Sequence, residues 1–323
     1  MITITNKLLI EEAEKVGVKY KIVSERHNLV VFSFQDEEAL VRRSRIPNTS
    51  GVFSYIADNK GATYDLLSFY NYSIPQTKTV SSFEEAKVFV KEIGYPAVIK
   101  PEGGAYGNGV TANIKNDEDF AKAYLFAEEC NPKEVIVQTY IPGDDYRIMV
   151  VGFKVVAVAK RIPARVFGDG EKTIRELIDL ENQNPLRKKG HTSPLTVINL
   201  NQGGKDYLKE QGFDFDSVLE KELEVRLLRN ANLSTGGEAE DLTDQIPQEN
   251  IQLFEEIAKA LHANLVGIDI RADDISKPLS SKDYAVIEVN ASPGIRMHHY
   301  PSKGKPQNIA KVIMKQLFPK AFI

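Results

Sequence analysis

A single cysteine, Cys130, stands among 323 residues. One thiol cannot form an intrachain disulfide, and the four-thiolate and mixed Cys/His zinc patterns are excluded with it, which fits a cytoplasmic protein. Basic charge is scarce too: 41 Lys and Arg stand against 45 Asp and Glu, for a net charge of −4. Nucleic-acid binding calls for a basic patch or stripe, so DNA and RNA are not expected partners. No apolar run approaches the length that spans a bilayer, and the start, MITITNKLLIEEAEKVG, has one Lys followed by acids where a leader would have a basic region and a long apolar core. Neither secretion nor a membrane partner is expected. Internal repeats, coiled-coil heptads and low-complexity tracts are missing, which sets repeat architectures aside. The composition, 42% apolar and 27% charged, is ordinary for a globular chain of one large or two to three small domains.

Residues 1–56 read as a short N-terminal region, with a helical stretch KLLIEEAEKVG, a β-like run HNLVVFSF and a polar, basic segment ending RRSRIPNTSG. This pattern specifies structure only weakly. Segment 57–141 reads as an α/β unit. A helix over about 62–71 ends before Ile74-Pro75, because the residue before a proline avoids α geometry. Ser82 and Glu85 fit a capping box and Gly94 a C-terminal cap. The strand YPAVIK, a glycine-rich loop, the strand VTANI, a helix from near Asn116 and the strand EVIVQTYI complete the unit. Segment 142–323 opens on YRIMVV and KVVAVAKRI around Gly152-Phe153, the pattern of a hairpin, followed by a helix capped by Thr173 and Glu176. The stretch 184–212 is polar and reads as a long loop or mobile excursion. Ile251, Phe254, Ile257, Ala258 and Leu261 recur at helical spacing, as do Ile309, Val312, Ile313 and Leu317, marking two core-facing helices.

Chemistry is densest from Gly267 to Gly294, GIDIRADDISKPLSSKDYAVIEVNASPG. Side chains alternate faces along a strand, so Glu288 and Asn290 point one way while Ile287 and Val289 point back. If the polar stretch 271–283 is a hairpin loop, Asp269 joins them and three hard oxygen ligands converge, a set suited to Mg²⁺. The same residues also read as solvated acids on an exposed sheet face. Upstream, Lys100 closes the strand AVIK and is followed by PEGGAYGNGV, with glycines at 103, 104, 107 and 109. Glycines let a backbone approach an anion closely, and a lysine at the loop's root neutralises phosphate charge. The spacing is neither Walker nor Rossmann, and taken alone the loop reads as a hairpin turn first.

The order of these parts resembles the ATP-grasp superfamily: Lys60, Lys100 with its glycine loop, EVIVQTYIPGDDYR, RLLRNANLSTGG, then Asp269, Glu288 and Asn290. The likeness is greatest to the branch that includes cyanophycin synthetase and the ATP-grasp half of bifunctional glutathione synthetase. It runs from about Ser54 to Pro319 and adds IPGDDYRIMVVGFKVVAVAKRIPARVFGDGEKTIREL and IEVNASPGIRMHHYPSKGKP to the matching strings.

That resemblance implies an α+β, ATP-grasp fold in which two α+β subdomains clasp ATP, after a short N-terminal region. Segment 57–141 would be the lid subdomain with the glycine loop, where Gly104, Gly107 and Gly109 approach the nucleotide. Segment 142–323 would carry the metal and substrate sites. Lys60 and Lys100 would contact the α- and β-phosphates. Val137 to Ile141 would form the adenine hinge, with Gln138 where relatives often carry Glu and with Tyr140 and Ile141 beside it. Asp145 would take the ribose hydroxyls, with Asp144 the neighbour it could be confused with. Asp269, Glu288 and Asn290 would hold Mg²⁺, with Mn²⁺ as an alternative ion. Arg229, with the backbone of 230–237, would stabilise the tetrahedral centre, Asn232 and Ser234 adding donors and Gly236 and Gly237 completing the loop. An ion pair is the competing reading of Arg229. Arg161, ranked above Arg165, and Arg296 would hold substrate, Arg296 by a bidentate carboxylate clamp or else as a surface salt bridge. His298 is expected to position substrate or pack a loop, a metal role for it and His299 being disfavoured.

The expected function is a stand-alone carboxylate–amine ligase acting through an acyl phosphate and releasing ADP and phosphate. Its partners would be amino acids or short peptides. The length leaves no room for the additional domains of the larger relatives, so one ligation is expected. A small-molecule kinase and a non-catalytic ATP-binding regulatory module are the alternatives. By analogy with relatives, a homodimer or homotetramer is expected.

Overall fold

The computed structural model describes residues 1–102, 109–131 and 134–323. Two compact units interleave along the chain. One comprises Met1–Pro47, Ala159–Leu242 and Gly294–Ile323, and the other comprises Asn48–Val158 and Thr243–Pro293. The stretches 57–141 and 243–293 thus share one unit, while 159–242 belongs with the N-terminal region.

The Asn48–Val158/Thr243–Pro293 unit holds a four-stranded antiparallel sheet in the order Thr77–Val80, Val135–Thr139, Ala97–Pro101, Thr111–Ile114. Alternation along these strands sends Ala97, Ile99, Val135 and Val137 into a core shared with Ala86, Phe89, Val90, Phe120, Ala123 and Tyr124 of the helices Phe83–Ile93 and Asp117–Cys130. Val98, Lys100 and Gln138 are left to the opposite face. The Ser82 hydroxyl caps its helix by accepting the Glu85 N–H, but the Glu85 carboxylate takes the N–H of Ser81, so the expected box is displaced by one residue.

A second antiparallel set in this unit places Leu265–Ala272 between Asp144–Val151 and Tyr284–Asn290. The expected hairpin is present: Gly152 and Phe153, at φ of 62° and 59°, make the left-handed pair that joins Asp144–Val151 to Lys154–Ile162. The helix Gln248–Ala260 buries Phe254, Ile257 and Ala258, as the spacing predicts.

In the other unit the N-terminal region departs from expectation. The helix Ile4–Lys15 is followed by an ordered antiparallel sheet, Lys19–Ser24, Leu29–Phe34 and Glu37–Arg42. Only the middle strand was legible, because Val30 and Phe32 are its buried residues, whereas all but one residue of Lys19–Ser24 are exposed and give no apolar alternation. The polar stretch 184–212 is likewise structured. Arg187–Lys188 pairs in parallel with Leu195–Thr196, and Gln202–Glu210 is a helix capped by Asn201. The capping box at Thr173 and Glu176 forms in full.

Candidate nucleotide and metal site

Asp269 lies opposite Arg147 on one neighbouring strand and opposite Glu288 on the other, so all three project from one face. Asn290, two residues beyond Glu288, shares that face and directs Nδ2 at Asp269 Oδ2 from 3.5 Å. The convergence expected of Asp269, Glu288 and Asn290 is therefore present on the sheet, with an unforeseen fourth member. Arg147 pairs with both Asp269 oxygens, Nε with Oδ1 and Nη2 with Oδ2 at 3.0 Å, and both side chains are buried. Two buried opposite charges hold each other ionised, and the Arg147 guanidinium is raised above its ordinary range, the nearby Asp269 outweighing desolvation. Gly267 makes room: a Cβ there would lie 2.7 Å from Pro293 Cβ and 3.2 Å from Arg147 Cδ and Nη1.

These donors fit a hard cation. A carboxylate offers about four lone-pair directions; on Asp269 Arg147 engages two and the Asn290 amide approaches a third, while the Glu288 carboxylate and the Asn290 amide oxygen add hard oxygens on the same face. Among the described residues no group of three or more His, Cys, Asp and Glu is placed to hold a metal, so the candidate set here is two carboxylates and an amide.

Lys100 is wholly enclosed. Its Nζ donates to the Tyr64 hydroxyl at 2.7 Å and lies 5.0 Å from the centroid of the Tyr64 ring. Burial, together with repulsion from Lys60, lowers the amine to about 7, against the pull of Glu288 and Glu102. Tyr64 in turn donates to Ile287 O at 2.6 Å, next to Glu288. Lys60 Nζ donates to Glu102 O at 3.2 Å, while Glu102 Oε1 accepts the Gly61 N–H at 2.9 Å. Two lysines, two carboxylates and a phenol thus form one cluster within this unit. Tyr64 carries no motif, and Glu102, though inside PEGGAYGNGV, is not singled out there; the tertiary structure reveals the part each plays.

Val137 to Thr139 end the strand Val135–Thr139, and Tyr140 and Ile141 follow it. Gln138 is buried with Oε1 3.4 Å from the Tyr64 hydroxyl. The N–H groups of Thr139 and Tyr140 donate to Gln76 O and Pro96 O. Asp145 pairs with Arg271 at 3.3 Å, and the Arg271 guanidinium stacks over the Tyr140 ring at 5.3 Å and also binds Gly143 O. Ile141 is half-buried. Gly109, at φ 76°, faces protein: a Cβ would lie 3.0 Å from both Cys130 Cβ and Pro101 Cδ. Gly103, Gly104 and Gly107 lie outside the described residues.

The remaining candidates belong to the other unit. Asn232 caps the short turn Leu233–Thr235 by accepting the Ser234 N–H at 2.9 Å, and its carbonyl accepts from Thr235 and Gly237. Gly236 sits at φ 100°, where a Cβ would meet Ile198 at 2.7 Å. Arg187, which sequence reasoning missed, is buried beneath this loop and donates to Gly236 O, Thr196 O and Glu238 Oε1. Arg229 forms the competing ion pair, with Glu210, and stacks over Tyr207 at 4.5 Å. Arg161 lies on Lys154–Ile162 opposite Ala239, and Arg165 pairs with Glu224 at 2.7 Å. Arg296 is buried and donates to Ser193 O and Thr196 Oγ1, in place of the surface salt bridge that is its competing reading. His298 is 1% exposed and packs in the interior.

The chain is α+β, mixing helices with antiparallel sheets, and its fold is that of the ATP-grasp proteins it matches. Two family models match: the ATP-grasp domain of prokaryotic glutathione synthetase over residues 65–171, and the RimK-like ATP-grasp domain over 225–317. These matches place the chain in the ATP-grasp superfamily. It is 40% identical over 318 residues to cyanophycin synthetase of Synechocystis sp., covering 98% of this chain and 36% of that protein. To the glutathione biosynthesis bifunctional protein of Pasteurella multocida it is 33% identical over 323 residues, covering 98% of this chain and 42% of the relative. The crystal structure of the bifunctional glutathione synthetase from Pasteurella multocida superposes with a TM-score of 0.75 at 32% identity, over 99% of this chain and 44% of that one. The chain thus spans well under half the length of these relatives.

Proposed function

We propose that this chain is an ATP-dependent carboxylate–amine ligase acting on an amino acid or short peptide. The observation that carries the reading is the cluster of Lys60, Lys100, Asp269, Glu288 and Asn290 within one unit, in a chain that aligns over 98% of its length with a cyanophycin synthetase.

A carboxylate resists attack by an amine because its leaving group would be an oxide. In the proposed reaction a carboxylate oxygen of the substrate attacks the γ-phosphorus of ATP, the bond from that phosphorus to the β-bridging oxygen breaks, and ADP leaves. The amine then attacks the acyl carbon, the bond to the phosphate oxygen breaks, and the ammonium proton is lost to solvent. Catalysis is positioning and charge stabilisation, with no covalent enzyme intermediate. Lys60 and Lys100 supply cations for the α- and β-phosphates, and Asp145 an acceptor for the ribose hydroxyls. Val137 to Ile141 line the base. Asp269, Glu288 and Asn290 would hold Mg²⁺ or Mn²⁺, which when bound neutralises phosphate charge. We assign Arg229 and the loop of Asn232, Ser234, Gly236 and Gly237 to the developing charge on the tetrahedral centre, with Arg161 on the substrate. A cytoplasmic homo-oligomer completes the reading, to be checked by light scattering and by localisation.

Pairwise screening of amino acids and dipeptides for ADP release, with mass analysis of the product and hydroxylamine trapping, tests the proposal. A hydroxamate is expected. Turnover that yields a phosphorylated alcohol and no hydroxamate makes the protein a small-molecule kinase, and nucleotide binding with no turnover on any pair makes it a binding module.

A further inference from the structure

Tyr64 belongs to the helix Lys60–Phe69, which Asn59 caps through the Ala62 N–H, and neither its type nor its spacing marks it as functional. It is 3% exposed, and a buried phenol needs a partner for its O–H. Here it has two, with opposite roles. One lone pair accepts from Lys100 Nζ at 2.7 Å, and the single hydrogen goes to Ile287 O at 2.6 Å, the shorter of the two acceptors within reach. The ring lies beneath the same amine, 5.0 Å from Nζ to centroid, where an aromatic face attracts a cation. Because the hydrogen is committed to Ile287, the oxygen is left as an acceptor, and the donor facing it is the Lys100 amine. The phenol itself is pushed far above its ordinary range by burial and then by Glu288 and Glu102, so it stays a hydroxyl and not a phenolate.

We propose that Tyr64 is a positioning residue for nucleotide binding: its hydroxyl holds the Lys100 ammonium in place and ties it to the main chain of Tyr284–Asn290, one residue before Glu288. The inference rests on the reading of Lys100 as a phosphate contact. The charged groups that face Lys100 are Lys60, which repels the ammonium, and Glu102 and Glu288, which attract it. Tyr64 is the neutral member of this set and the group to which Lys100 donates directly. A side chain that only filled the core would act through its ring, whereas this one acts through its oxygen, and Phe separates the two.

The test is calorimetric titration of Mg–ADP from pH 6 to pH 9 into the wild type, Tyr64→Phe, Lys100→Met and the double variant. Losing a hydrogen bond to a charged group predicts binding weaker on the order of tenfold for Tyr64→Phe at pH 8. The deficit should shrink toward pH 6, because an ammonium without its acceptor is lost at lower pH. In the Lys100→Met background, Tyr64→Phe should change the affinity by less than about twofold, since coupled groups are not additive. Incorporating 2,3-difluorotyrosine at position 64 keeps the hydroxyl and the fold but makes a poorer acceptor, and should weaken binding in the same direction by less. Equal affinity of wild type and Tyr64→Phe across the pH range, or an equal loss with and without Lys100, overturns the inference and leaves the ligase reading standing. A wild type that binds no Mg–ADP overturns both.

Discussion

Arg147 and Asp269 face each other across adjacent antiparallel strands and form a buried two-point ion pair. A carboxylate at this depth would ordinarily take up a proton to escape the cost of burial. The guanidinium offsets that cost and fixes the carboxylate plane on the face that Glu288 and Asn290 share.

Breaking this pair from one side leaves a buried charge alone. Arg147→Met should lower unfolding free energy by about 3–5 kcal/mol. Urea denaturation of Arg147→Met, Asp269→Asn and the double variant should show strong non-additivity, the double variant being more stable than the sum of the single losses predicts. Additive losses would show that the pair contributes no coupling.

Glu288 is half-buried and, among the described residues, no ion pair of this kind holds it, so its removal should affect function and not stability. Glu288→Gln is expected to abolish product formation while leaving a cooperative unfolding transition at an unchanged midpoint. Normal turnover in this variant would remove the metal assignment.

Gly267→Ala places a methyl against Pro293 and the Arg147 side chain, at the 2.7 and 3.2 Å separations found for a Cβ there. Overpacking of this kind costs about 1–3 kcal/mol. A lowered thermal midpoint should be accompanied by weaker Mg²⁺ stimulation of ADP release, because Arg147 must move. A drop in midpoint with Mg²⁺ dependence unchanged would mean that Pro293 yields and Arg147 does not.

His299 accepts the Ala310 N–H on Nε2 at 3.1 Å, in the first turn of the helix Ile309–Leu317, and burial lowers it to about 4 despite the pull of Glu12. Between pH 6.5 and about 4 the unfolded chain therefore binds more protons than the folded one, and stability must fall as pH falls through that window. The expected loss is roughly 3 kcal/mol, which Gln at position 299 should abolish. Glu12, whose carboxyl is held below its ordinary range by its bonds to Lys15 and Asn308 against desolvation, contributes a separate loss that begins lower, as pH falls below 4.5. A flat stability profile from pH 6.5 to 4 in the wild type would contradict the His299 assignment.

The local grammar of the chain was readable where burial and capping repeat with the backbone. Thr173 with Glu176, Gly152-Phe153, and the alternation through Ile287 to Asn290 all form as their spacing requires, because each is decided by neighbours a few residues away. Lys19–Ser24 was illegible because an almost wholly exposed strand has no apolar rhythm. The segment 184–212 was misread because its order comes from a buried arginine at position 187 and from Arg296, 100 residues away from its partner Thr196.

The amino-acid order alone determined the alternation that puts Glu288 and Asn290 on one face, and the lysine at the root of a glycine loop, which follow from strand geometry and from what hard oxygens and cations can bind. The α+β class was implied by the ATP-grasp resemblance those motifs carry, and the pairing of Asp269 with Glu288 hung on a hairpin that the fold supplies. Only the tertiary structure decided that Arg147 would occupy Asp269, that Arg296 would turn inward to carbonyl and hydroxyl oxygens, and that Tyr64 would join Lys100 to Ile287. Those pairings depend on which distant strands come to lie side by side, and a buried charge takes whatever partner that packing sets within hydrogen-bond reach.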